Sequence, residues 1–144
     1  MRLLAAAAAL LAAPALAVPG LTAADSAAAY AAAGYTMVNG KLAGCEGEQP
    51  GRPASRYAVD IVDLNVDGRP EAIITETNAA CYGVNGSSFT VVSKDVGGRW
   101  RRIGGSVGTA TRLPARHLGW ADLRVSVAGA TKPVALRWNG LGYQ

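Results

Sequence analysis

Three side chains bearing oxygen stand at alternate positions, Asp63, Asn65 and Asp67, with Gly68 directly after them and another carboxylate at Glu71. A hard cation such as Ca²⁺ takes six to eight oxygen ligands, some of them backbone carbonyls. Alternate spacing turns three side-chain oxygens toward one point, and a glycine permits the sharp turn that closes the loop. Three carboxylates this close repel one another unless a counter-ion lies between them. The stretch 63–71 therefore reads as a calcium loop. The same residue types also suit a solvated turn, because Asp and Asn side chains bond to their own backbone in turns.

The loop departs from the EF-hand. Counting from Asp63, the twelfth residue is Ile74, where an EF-hand carries a bidentate Glu. Glu71-Ala72-Ile73-Ile74-Thr75 also predicts a strand rather than a helix. The pattern Asp-x-Asn-x-Asp-Gly-x-x-Glu followed by a strand is similar to the calcium loop of FG-GAP/VCBS-type repeats. That resemblance covers about one repeat. It implies Asp63, Asn65, Asp67 and Glu71 as side-chain ligands and the Arg69 carbonyl as the backbone ligand. Val66 stands where such repeats often have Gly, and Glu71 replaces the commoner Asp. More broadly, Ala-Ala-Gly-Tyr (32–35), the acidic loop, Cys-Tyr-Gly (81–83), Gly-x-Trp (98–100) and Arg-Trp-Asn-Gly (137–140) resemble small exported bacterial proteins of unassigned function. This second resemblance implies no activity.

Other chemistries lack their residues. His117 is the single histidine, and no G-x-S-x-G nucleophile elbow accompanies it. One histidine and two cysteines supply a zinc site poorly. No phosphate-cradling loop or nucleotide fingerprint occurs. No catalytic residue, organic cofactor or nucleic-acid partner is therefore assigned. A carboxylate pair for sugar-polymer hydrolysis, drawn from Glu46, Glu48 and Glu76, stays open as an alternative without support from spacing.

Several elements must hold the loop in place. Met1-Arg2, the apolar run 3–13 and Ala15-Leu16-Ala17 have the order of a secretory signal peptide, with cleavage predicted between Ala17 and Val18. A membrane anchor is the competing reading, but Pro14 interrupts a run shorter than the ~20 residues of a span. The mature chain, 18–144, is then a single periplasmic or secreted domain with no membrane span. In an oxidising compartment Cys45 and Cys81 are expected to form a disulfide around the loop. A free catalytic thiol is the alternative.

Thr22–Ala33 predicts a helix, with Thr22 as cap, Asp25 in the first turn and Gly34 at its end. Its apolar surface is small, so it needs a sheet to lean on. Residues 38–56 read as loop, and 104–116 are weakly patterned. Strands are expected around 57–61, 72–75, 89–93, 100–103, 122–127 and 134–138, with Asp95–Gly98 and Asn139-Gly140 as turns. Residues 120–143 look like a second, degenerate repeat that keeps the strand-turn-strand form without carboxylates in its turn. Two units are too few for a propeller. The expected fold is mainly β (α+β): a small antiparallel domain of about six to eight strands with one N-terminal helix.

Charge divides the chain. Residues 18–98 hold nine acids and five Lys/Arg, whereas 99–144 hold eight Lys/Arg and Asp122 alone. A basic C-terminal half favours an anionic partner, an envelope polymer or an acidic protein. The readings that follow are a non-enzymatic exported calcium-binding module, an envelope hydrolase, or a secreted inhibitor of a lytic enzyme.

Overall fold

Strand β4 (Glu71–Thr77) lies at the centre of the molecule, and its first four residues are buried without interruption. A strand buried on both faces must be covered by a layer on each side. The computed structural model describes residues 17–45, 51 and 53–144. Most of the expected signal peptide, together with Glu46 and Glu48, lies outside the described residues.

Along the chain come α1 (Ala23–Ala32), the hairpin β1 (Thr36–Val38) and β2 (Lys41–Ala43), β3 (Arg56–Val62), β4, and a one-turn helix α2 (Ala79–Tyr82). They are followed by β5 (Ser87–Lys94), β6 (Trp100–Val107), β7 (Thr109–His117), β8 (Trp120–Ser126) and β9 (Val134–Leu136). All pairings are antiparallel, in sheets ordered β1-β2, β3-β4-β5-β6 and β7-β8-β9. The fold is thus the expected small, mainly β domain, neither a closed barrel nor a propeller.

Alternation of side chains along β4 and β5 separates two cores. Ile73, Phe89 and Val91 face the three-stranded sheet, where they meet Leu64, Ala121, Leu123, Val125 and Trp138. Ala72, Ile74 and Val92 face the other way, onto Ala29 and Ala33 of the α1 segment. Chain passes between the sheets at Gly108, whose φ of 109° and close approach to the Ser126 carbonyl leave no room for a Cβ. The tail clamps the two sheets together: the Tyr143 amide donates to the Ile103 carbonyl at 2.8 Å, and its hydroxyl donates to the Ala121 carbonyl at 2.6 Å. Trp138 stacks on Trp120 with ring centroids 4.1 Å apart.

Helix α1 starts and docks as its sequence indicates. Thr22 Oγ1 accepts the Asp25 amide at 3.0 Å. The Asp25 carboxylate then receives the Trp100 indole N–H and the Lys94 ammonium, each at 2.9 Å. The Trp100 bond, followed by that from Lys94, holds Asp25 below the ordinary carboxylate range. A depressed pKa contributes stability that is present above about pH 4 and disappears as pH falls through the lowered value. An acid titration followed by tryptophan fluorescence should show Trp100 released below pH ~4. The same step should be missing in Asp25→Asn, whose amide carries no charge to titrate.

Three elements escape the sequence reading. The β1-β2 hairpin runs into the glycine-rich passage 38–56 read as loop; it has only three residues per strand and turns through Asn39 and Gly40, both at positive φ. Helix α2 is a single turn capped by Asn78, whose Oδ1 accepts the Ala80 amide at 2.9 Å. Strand β7 carries Pro114 and a register shift between Arg112 and Arg116, which mask its periodicity. Proline is tolerated there because β7 is an edge strand.

Candidate metal centre

The acidic loop joins β3 to β4, and its first apolar residue anchors it. Leu64 is fully buried in the core between the sheets. Its carbonyl accepts the Ala121 amide at 2.8 Å and Arg116 Nη1 at 3.0 Å, which binds the loop to β8 and to the end of β7. With that point fixed, residues 65–69 wrap outward. Val66 and Gly68 take positive φ of 60° and 79°. For a β-branched residue this conformation is a true outlier, costing about 1–2 kcal/mol.

The side-chain oxygens are held by amides of the same turn. Asp63 accepts the Asp67 amide at 3.2 Å and the Gly68 amide at 2.9 Å, one on each oxygen. Asn65 Oδ1 accepts the Asp67 amide at 3.1 Å, and Asp67 Oδ1 accepts the Arg69 amide at 2.8 Å. The structure thus brings Asp63, Asn65 and Asp67 into one hydrogen-bonded turn. Each of these oxygens has a second lone-pair site left over.

Glu71 sits differently. It is fully buried, with Oε2 accepting the Leu64 amide at 2.7 Å and Oε1 accepting the Ser93 hydroxyl at 2.9 Å. Burial pushes its pKa up; the two hydrogen bonds oppose that, while the charges of Asp67 and Asp63 add to it. Glu71 therefore feels the charges of Asp67 and Asp63. Arg69 is the chain's own counter-ion: its guanidinium meets Asp67 Oδ2 at 2.7 Å, where the Asn65 amide also donates at 2.9 Å. Its Nε is buried without a hydrogen-bond partner, so the guanidinium gains a bond to water on swinging outward.

Among the described residues, no three His, Cys, Asp or Glu side chains form a group able to hold a metal by themselves. A cation in this loop must rely on the Asn65 amide oxygen and backbone carbonyls beside the carboxylates. An all-oxygen set of that kind fits a hard ion and does not fit zinc.

The disulfide forms as expected, Cys45 to Cys81 with Cα atoms 6.3 Å apart. Sequence reasoning missed its companion, Glu76. This carboxylate, on the face of β4 opposite to Glu71, accepts the Cys45 amide at 3.0 Å, the Ser55 hydroxyl at 2.6 Å and the Tyr82 hydroxyl at 3.0 Å. It is 2 % exposed, which suits a structural carboxylate better than one working on a polymer. His117 is also more engaged than a lone histidine: Nδ1 lies 2.7 Å from Asp122 Oδ1, and Arg137 Nε is 3.8 Å from the other oxygen. The tight β7–β8 turn, which pairs His117 with Trp120, is the signal that brings the two together.

No family model matches the chain, and neither a curated protein nor a solved structure matches it.

Proposed function

We propose that this protein is an exported, non-enzymatic β module whose loop 63–71 binds Ca²⁺ as a structural staple, serving binding or architecture in the cell envelope. The observation that carries the reading is the loop itself. Asp63, Asn65 and Asp67 are drawn into one turn around two residues of positive φ, above a buried acid. Asp63, Asn65, Asp67 and Glu71 are the side-chain donors and the Arg69 carbonyl is the backbone donor. When bound, the cation neutralises the mutual repulsion of the three acids and so ties β3 to β4. The exposed cations Arg101, Arg102, Arg124 and Arg137 on β6, β8 and the β9 end favour an anionic envelope polymer or an acidic protein as partner.

Isothermal titration of the mature chain with Ca²⁺ tests the reading, with Asp63→Ala and Asp67→Ala as controls that should not bind. A third variant gives an opposite sign. Arg69→Ala removes the competing guanidinium while keeping the backbone carbonyl. An exposed pair of this kind is worth up to about 1 kcal/mol, so affinity should rise about fivefold. Unchanged or weaker binding in Arg69→Ala would mean that the guanidinium and the ion do not share a site.

A further inference from the structure

The two sheets do not close along one side. Strand β3 is the outer strand of the four-stranded sheet, β7 is the outer strand of the three-stranded one, and a cleft of about 500 Å³ lies between them. Its lining combines Ile61, Val62, Ile73 and Ala110 with charged groups from both strands. Register shows how those charges come to face the cleft. Asp60 pairs with Ile73, and Arg112 pairs with Leu123. Both partners belong to the core between the sheets, so both charges stand on the inner faces. Among the described residues neither the Asp60 nor the Arg112 side chain makes a hydrogen bond or ion pair, and the two do not pair with each other within 4.0 Å. Asp63 also lines the cleft, but both of its oxygens already accept backbone amides.

An apolar floor with a few convergent polar groups, in a volume of about 300–1,000 Å³, is the form of a small-molecule site. Here the polar groups are opposite charges contributed by the two strands, with no N···O contact between them within 4.0 Å. We infer that this cleft binds a short zwitterionic peptide of two or three residues. Its ammonium meets Asp60, its carboxylate meets Arg112, and an apolar side chain rests on Val62, Ile73 and Ala110. Arginine suits the carboxylate end because its fork of N–H groups can donate to both oxygens. The cleft adjoins the calcium loop at Asp63, and its two charges, Asp60 and Arg112, lie outside that loop.

The test is calorimetric titration of the mature protein in chelator with alanyl-leucine, compared with its N-acetylated and C-amidated forms. Working in chelator keeps the result independent of whether the loop binds calcium. Free alanyl-leucine should bind at least fivefold more tightly than either capped form. Asp60→Asn should erase the preference for the free ammonium and leave the preference for the free carboxylate. Arg112→Gln should do the reverse. Both residues lie at a sheet edge without partners, so the variants should fold, and unchanged circular dichroism checks this. No heat of binding at about 10 mM peptide, where even ~1 mM affinities register, overturns the inference. So does equal affinity for capped and free forms. In either case the two inward charges would serve only to keep the open edges from pairing with other chains.

Discussion

Replacing both Cys45 and Cys81 by serine is expected to lower the unfolding free energy by about 3–4 kcal/mol, from the loop entropy released in the unfolded chain. The cysteines are 36 residues apart in sequence, and the segment they enclose includes β3, the acidic loop and all of β4. For a domain of this size the midpoint should fall by roughly 10–15 °C. The loss should not stop at entropy, because Glu76 organises the same corner. Its carboxylate bonds the Cys45 amide and the Tyr82 hydroxyl, so the bridge and the buried acid support one another. A double-mutant cycle with Glu76→Gln should therefore show coupling rather than additivity. Chemical denaturation of the four proteins measures it. A cysteine-free variant as stable as the parent would show that the bridge adds nothing to this fold.

Glu71→Ala should cost a similar amount, about 3–5 kcal/mol, for a different reason. The substitution leaves the Leu64 amide and the Ser93 hydroxyl buried without an acceptor, at roughly 1–3 kcal/mol each, and opens a cavity as well. Glu71→Gln separates the structural part from the charge. The glutamine oxygen can accept the Leu64 amide while its NH₂ donates to Ser93 Oγ, which a hydroxyl accepts readily. Its stability should lie within about 1 kcal/mol of the parent. If Glu71→Gln proved as damaging as Glu71→Ala, the charge itself would be holding the loop. Denaturant midpoints for the two variants decide between these outcomes.

How much of this was legible in the residues depends on what each signal encodes. The strands β3, β4 and β5 announce themselves because alternating or continuous apolar residues report burial directly. The capped helix α1 does so because Thr22, Asp25 and Gly34 each satisfy a local backbone need. Strand β7 was hidden because Pro114 and a bulge break its period at an edge where no neighbour demands regularity. The acidic loop was legible as a turn with converging oxygens, yet the depth of Glu71 was not. Its burial follows from pairing with Val62 and Ser93 across two strands, a tertiary fact with no local sign. Glu76 was hidden likewise: its donors at 45, 55 and 82 meet only after the hairpin, β3 and α2 have assembled around it. The partnership of His117 with Asp122 depends on a two-residue turn at Leu118-Gly119, where both residues take positive φ.

The proposed calcium staple is tested most directly by differential scanning calorimetry of residues 18–144 in Ca²⁺ and in chelator. A loop without the twelfth-position glutamate belongs with extracellular modules, which bind in the range of about 10⁻⁴–10⁻³ M. With ~1 mM free Ca²⁺ and a dissociation constant of ~0.1 mM, linkage adds about 1.4 kcal/mol. The midpoint should then rise by a few degrees. Mg²⁺ should raise it less, since it gives up its water reluctantly and demands tight octahedral geometry. Asp67→Ala should abolish the shift, and Asp122→Ala should leave it intact. Identical midpoints in millimolar Ca²⁺ and in chelator would contradict the account and make 63–71 a solvated turn held by its own amides.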